Sequence, residues 1–93
     1  MIRDLQDWNV TPDGKSIFVE YVMKDFMAAV ALIQGIAKVA EADDHHPDIH
    51  LTSYRKLRIE LSTHSVGQLT EKDFLLAAKI DKLHKSLKLN KIK

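Results

Sequence analysis

The sequence predicts an α+β domain with helices packed on one face of an antiparallel sheet. Three observations carry this expectation. SIFVEYV (16–22) is rich in the β-branched and aromatic residues that suit a pleated strand. LRIELS (57–62) alternates, with Leu57, Ile59 and Leu61 on one side and Arg58, Glu60 and Ser62 on the other. Two segments of helical period, one over 26–40 and one after Thr70, give the order strand, helix, strand, strand, helix.

Taken in chain order, MIRDLQDWNV is too polar for a signal peptide, and Trp8 is expected in the core. TPDGKS (11–16) is a turn cluster, in which proline fixes one φ and Asp13-Gly14 supplies turn chirality. Asp25 is placed to cap the helix over 26–40. That helix is apolar on two sides, whereas a surface helix needs one stripe. Phe26, Ala29, Val30, Ile33, Ile36, Ala37 and Ala40 form one face, and Ala28, Ala31, Leu32, Gly35 and Val39 the other. The first face is expected to cover the sheet and the second, with Leu32 and Val39, to look outward. A homodimer or homotetramer built through helix 26–40 would then cover it.

DIHLTS (48–53) reads as a weaker strand joined to LRIELS through YRK, with Tyr54 packed in the hairpin. GQLTEKDF leads into the last helix, with Thr70 as N-cap and Asp73 at the third helical position, a capping-box variant. Leu76, Ile80, Leu83 and Leu87 make its apolar stripe, opposite Lys82, Lys85 and Lys88.

Ninety-three residues, 45% hydrophobic and 29% charged, suit one globular domain spanning 1–93. A net charge of +1 gives no general pull toward nucleic acid, so direct nucleic-acid binding is not expected. The six lysines of 79–93, against the single acid Asp81, read as a solvated helix face. The absence of cysteine excludes disulfides, thiolate catalysis and iron–sulfur clusters, and it agrees with a cytoplasmic location. No apolar run reaches membrane-spanning length.

EADDHHPDIH (41–50) places three histidines, the side chain that titrates nearest neutrality, within six residues. A closed metal shell is not expected. Pro47 stops a helix after His46, no cysteine is present, and adjacent extended residues point to opposite sides. A polar loop at a helix end and an acid/base site both remain open on composition.

Spacing goes further. Glu41, three residues, His45-His46-Pro47, six residues, Tyr54, nine residues, His64, eight residues and Asp73 form an ordered set. It resembles the signature of the pterin-4a-carbinolamine dehydratases. The similarity extends through DW (7–8), KDF (24–26), LSTH (61–64) and LTEKDF (69–74). Departures are Ile49, where many members carry tryptophan, Gly67-Gln68 in place of Gly-Gly, and only seven residues before Trp8.

The resemblance implies a four-stranded antiparallel sheet with helices on one face. It also implies a hydro-lyase that dehydrates 4a-hydroxytetrahydrobiopterin to the quinonoid dihydropterin, in tetrahydrobiopterin recycling, with no metal or organic cofactor. His45, His46, His64 and Asp73 are the catalytic set it implies, His45 and His64 as the acid/base pair and His46 chiefly orienting the pterin. Glu41, Pro47, Ser62 and Thr63 would bind substrate, Glu41 also positioning a histidine as Asp73 does. Asp73 is open to a second reading, as a helix cap alone. His50 and His84 fall outside the signature and are read as solvated. A competing class is a pterin-binding or dimerisation-cofactor module acting in transcription regulation or molybdopterin metabolism.

Overall fold

The computed structural model describes residues 7–63 and 65–92, with the side chains of 87–92 outside the description. Six elements follow one another: β1 (Asn9–Val10), β2 (Ile17–Val22), α1 (Phe26–Asp43), β3 (Asp48–Thr52), β4 (Lys56–Leu61) and α2 (Glu71–Ile92). The strands form one antiparallel sheet in the order β1-β2-β4-β3. This is the α+β, four-stranded arrangement expected. β1 carries no sequence signal of its own, because two residues cannot display a period.

Alternation decides which face is covered. Ile17, Val19 and Tyr21 of β2 stand in register with Leu61, Ile59 and Leu57 of β4, and all six are buried. Against them pack Ala28, Ala29, Leu32 and Ile36 of α1 and Leu76, Ala77 and Ile80 of α2. The opposite face carries Phe18, Glu20, Arg58 and Glu60; Arg58 lies 3.9 Å above the Phe18 ring and donates to both glutamates.

The α1 face expected to cover the sheet does so at Ala29, Ile36 and Ala40, but the buried side also takes in Ala28 and Leu32 from the face expected to look outward. Leu32 is fully buried, whereas Phe26 is 51% exposed and Ala37 is also exposed. Ala28 and Ala29 are buried, and the position a Gly35 side chain would take lies 3.5 Å from Leu83 of α2, so the last helix occupies part of the second face. At Gly35, the lack of a side chain leaves room for a helix of the same chain.

Asp25 caps α1 as expected, accepting the Ala28 N–H at 2.8 Å. The helix continues through Glu41, Ala42 and Asp43 instead of ending at Ala40. Trp8 is in the core, as expected. Tyr54 is instead 61% exposed, in a three-residue connection where it and Ser53 both have positive φ. His50 is exposed, but His84 is half-buried and stacks on Tyr21 with ring centroids 3.9 Å apart. The expectations for Leu87 and Lys88 lie outside the described side chains. No helix among the described residues is long and apolar enough to cross a membrane.

Asp81 of α2 accepts hydrogen bonds from the Trp8 indole and the Tyr21 hydroxyl, tying the N-terminal segment and β2 to the last helix. Burial and then the Asp81 bond push the Tyr21 hydroxyl well above tyrosine's ordinary pKa of 10.0. Because the folded value is raised, this group's stabilisation is complete below the ordinary value and is lost as pH climbs past it. Tyr21→Phe should therefore cost about 1–2 kcal/mol at neutral pH. The gap in melting temperature from wild type should narrow above about pH 10; a gap constant with pH would contradict this.

Candidate active site

The end of α1, the loop after β4 and the first turn of α2 converge on one carboxylate. α1 stops where Asp44 takes the left-handed conformation, φ 51° and ψ 44°. The Asp44 N–H donates to the Glu41 carbonyl at 3.2 Å and the His45 N–H to the Ala40 carbonyl at 3.1 Å, a Schellman pair. Glycine is usual at such a position, and aspartate is one of the few side chains that tolerate it. The reversal turns His45 inward, where it is 8% exposed.

Half-buried Pro47 restricts His46 to extended backbone and leads into β3. The two histidines diverge, as neighbours on an extended chain do. His45 Nε2 lies 2.6 Å from Asp73 Oδ1 in the interior, and His46 Nε2 lies 2.5 Å from Glu41 Oε2 at the surface.

Asp73 is fully buried. Its Oδ2 accepts the Thr63 hydroxyl and the Thr70 N–H, both at 2.9 Å, leaving Oδ1 for His45. In return, the Thr70 carbonyl accepts the Asp73 N–H at 3.0 Å and the Thr70 hydroxyl accepts the Lys72 N–H at 3.3 Å. One Asp73 oxygen thus caps α2 and the other faces the histidine. A buried carboxylate without partners would cost several kcal/mol, and these contacts offset that cost.

Thr63 is 7% exposed, and its hydroxyl also lies 2.6 Å from that of Thr70. Its N–H donates to the Gln68 carbonyl, and its own carbonyl accepts the Val66 and Gly67 N–H groups. Its polar groups are therefore engaged within the protein. Ser62 beside it is half-buried. His64 lies outside the described residues. The structure brings together His45, Thr63 and Asp73, with Glu41 and His46 paired nearer solvent.

A cleft of about 400 Å³ opens at His45, lined also by Asp43, Lys72, Leu75 and Lys79. This is within the size range of small-molecule sites, roughly 300–1,000 Å³. Lys79 Nζ bonds both Asp43 oxygens, at 2.9 and 2.8 Å, and joins the end of α1 to α2. Leu75, 56% exposed, supplies an apolar wall. Sequence reading missed this wall. The available signal was that Lys72, Leu75 and Lys79, at i, i+3 and i+7, share a side of the helix, off its buried stripe. A depression of about 360 Å³ on the open sheet face, next to His50, Lys56 and Arg58, shares no residue with it. Among the described residues, no three His, Asp or Glu side chains are placed to hold a metal ion.

Comparison with known proteins decides the lineage. The family model described as pterin 4 alpha carbinolamine dehydratase matches residues 1–83. The chain belongs to this family. It is 40% identical over 83 residues to a protein of Nitrosospira multiformis provisionally named for the same dehydratase, covering 89% of this chain and 71% of that one. To the Arabidopsis thaliana mitochondrial pterin-4-alpha-carbinolamine dehydratase 2 it is 35% identical over 85 residues, 89% of this chain but only 46% of the plant protein.

Among solved structures, the transcriptional coactivator/pterin dehydratase of Brucella melitensis superposes with a TM-score of 0.79 at 28% identity, over 87% of this chain and 88% of that one. A pterin dehydratase-like RuBisCO assembly factor of the α-carboxysome shares the fold, with a TM-score of 0.69 at 19% identity over 83% and 88% of the two chains.

The left-handed residue after α1 can be tested directly. Asp44→Gly should stay within about 0.5 kcal/mol of wild type or gain slightly, since glycine adopts this conformation without strain. Asp44→Val should lose about 1–2 kcal/mol in chemical denaturation. Equal stability of the two variants would show that the left-handed turn does not set the helix end.

Proposed function

We propose that the protein is a hydro-lyase that dehydrates a 4a-hydroxytetrahydropterin to the quinonoid dihydropterin and water. The observation that carries this is the buried His45–Asp73 pair at the mouth of a cleft, in a chain of the pterin-4a-carbinolamine dehydratase family. The reaction needs one proton delivered to the departing 4a-hydroxyl and one removed from a ring nitrogen as the double bond forms. Hydroxide leaves as water, and the two transfers balance. Imidazoles suit both tasks near neutral pH.

In this reading His45 and His64 are the acid/base pair, and Asp73 orients His45. His46, held by Glu41 at the rim, binds and orients the pterin, helped by the rigid Pro47 and by Ser62. Thr63 serves the site through Asp73. The route belongs to tetrahydrobiopterin recycling in the cytoplasm, and residues 1–93 act as one unit.

Exposed apolar residues on α1, Phe26 at 51% and Met27 at 70%, support a further part of the reading. Homo-oligomers form through this helix by its Phe26 face, and Leu32 stays in the core. The name of the Brucella melitensis structure, a transcriptional coactivator/pterin dehydratase, supports a second reading, a module acting in transcription regulation.

The deciding experiment is acceleration of 4a-hydroxytetrahydropterin dehydration by the purified protein. His45→Ala should lower kcat about 10²–10⁴-fold, the usual contribution of a general acid or base. His46→Ala should mainly raise KM. Wild-type protein that does not exceed the uncatalysed rate, or His45→Ala with unchanged kcat, would refute the proposal.

A further inference from the structure

Three threonine contacts decide how the Asp73–His45 pair holds its protons. A backbone N–H can only donate, so the Thr70 N–H makes Asp73 Oδ2 an acceptor. The Thr63 hydroxyl, 2.9 Å from the same oxygen, gives it its single proton. Thr63 must then accept at its 2.6 Å contact with the Thr70 hydroxyl, which therefore donates. The Thr70 hydroxyl in turn accepts the Lys72 N–H at 3.3 Å. The result is a directed chain, Lys72 N–H to Thr70 O–H to Thr63 O–H to the Asp73 carboxylate, in which each hydroxyl donates once and accepts once.

Two donors on Oδ2 suit a carboxylate and leave Oδ1 as the acceptor for His45. We propose that Thr63 and Thr70 are positioning residues that orient Asp73 so that His45 carries its ring proton on Nε2 and exchanges protons with the substrate at Nδ1. His45 Nδ1 has no hydrogen-bond partner among the described residues, and the ring lines the cleft. The role of Nδ1 rests on the proposed dehydratase reading; the tautomer does not.

The two threonines also predict what an amide would do at position 73. In Asp73→Asn the side-chain oxygen must still meet the Thr63 hydroxyl and the Thr70 N–H, so the NH₂ group is forced toward His45. It can only donate there, and Nε2 must become an acceptor with the ring proton moved to Nδ1. Loss of activity through an inverted histidine tautomer is a known consequence of replacing such an aspartate.

Long-range proton–nitrogen NMR of the histidine rings at mildly alkaline pH tests this without reference to activity. Wild-type His45 should show the Nε2–H tautomer and Asp73→Asn the Nδ1–H tautomer. Kinetics with the 4a-hydroxytetrahydropterin then test the threonines. Thr63→Val should lower kcat about threefold to tenfold with KM little changed, the scale of one hydrogen bond, and Thr63→Ser should restore it. Thr63→Val leaves the Thr70 cap in place, and circular dichroism verifies its fold. Wild-type His45 in the Nδ1–H form, an unchanged tautomer in Asp73→Asn, or Thr63→Val with wild-type kcat would each overturn the proposal. A wild-type protein without dehydratase activity would instead refute the function, while the ring spectra would still decide the tautomer.

Discussion

Asp73 is a carboxylate with no solvent contact, and a fully buried carboxylate persists only where its oxygens are occupied by donors. The first turn of α2 meets that demand with the Thr70 N–H, the loop after β4 with the Thr63 hydroxyl, and the segment after α1 with His45. Three stretches of the chain, the His45 segment from 28 residues away, are thereby fixed to one point. Replacing such a group with an apolar residue would strand the Thr63 hydroxyl and the Thr70 N–H, so the constraint runs in both directions.

The sheet explains why those stretches can meet. β4 lies between β2 and the edge strand β3, so α1 must cross the sheet before β3 and deliver its C-terminus near the end of β4. Leu32 and Ile36 hold α1 in the core, and the Lys79–Asp43 pair pins its last turn to α2. Asp44 then turns the chain back, so that His45 enters the interior while His46 stays with Glu41 outside. A continued helix would put the two histidines about 100° apart around its axis; the extended segment separates them fully.

Much of this was legible in the sequence wherever the signal is local. The β2 and β4 alternation, the Asp25 cap and the Thr70/Asp73 capping pair all depend on residues within a few positions of each other. The ordered spacing of Glu41, His45, Tyr54, His64 and Asp73 pointed to the family. What failed was long-range or read through a wrong partner. The α1 faces were misjudged at Ala28 and Leu32, which are buried, and at Phe26, which is not, because helical period alone does not tell where α2 lies. The placement of Leu83 beside Gly35 shows that α2 takes part of the second face. The end of α1 was placed early because Glu41 and Asp43 break the apolar pattern, yet Asp43 is held by Lys79, 36 residues away. The left-handed Asp44 and the second partner of Asp73 carry no periodic signature at all.

A double-mutant cycle on kcat between His45 and Asp73 tests most directly whether this buried pair works as one unit. His45→Ala and Asp73→Asn should each lower kcat, and the double variant should turn over no more slowly than His45→Ala alone, because Asp73 acts only through the ring. If the two losses multiply in the double variant, Asp73 serves turnover independently of His45, and the buried pair is not the single unit that its geometry implies.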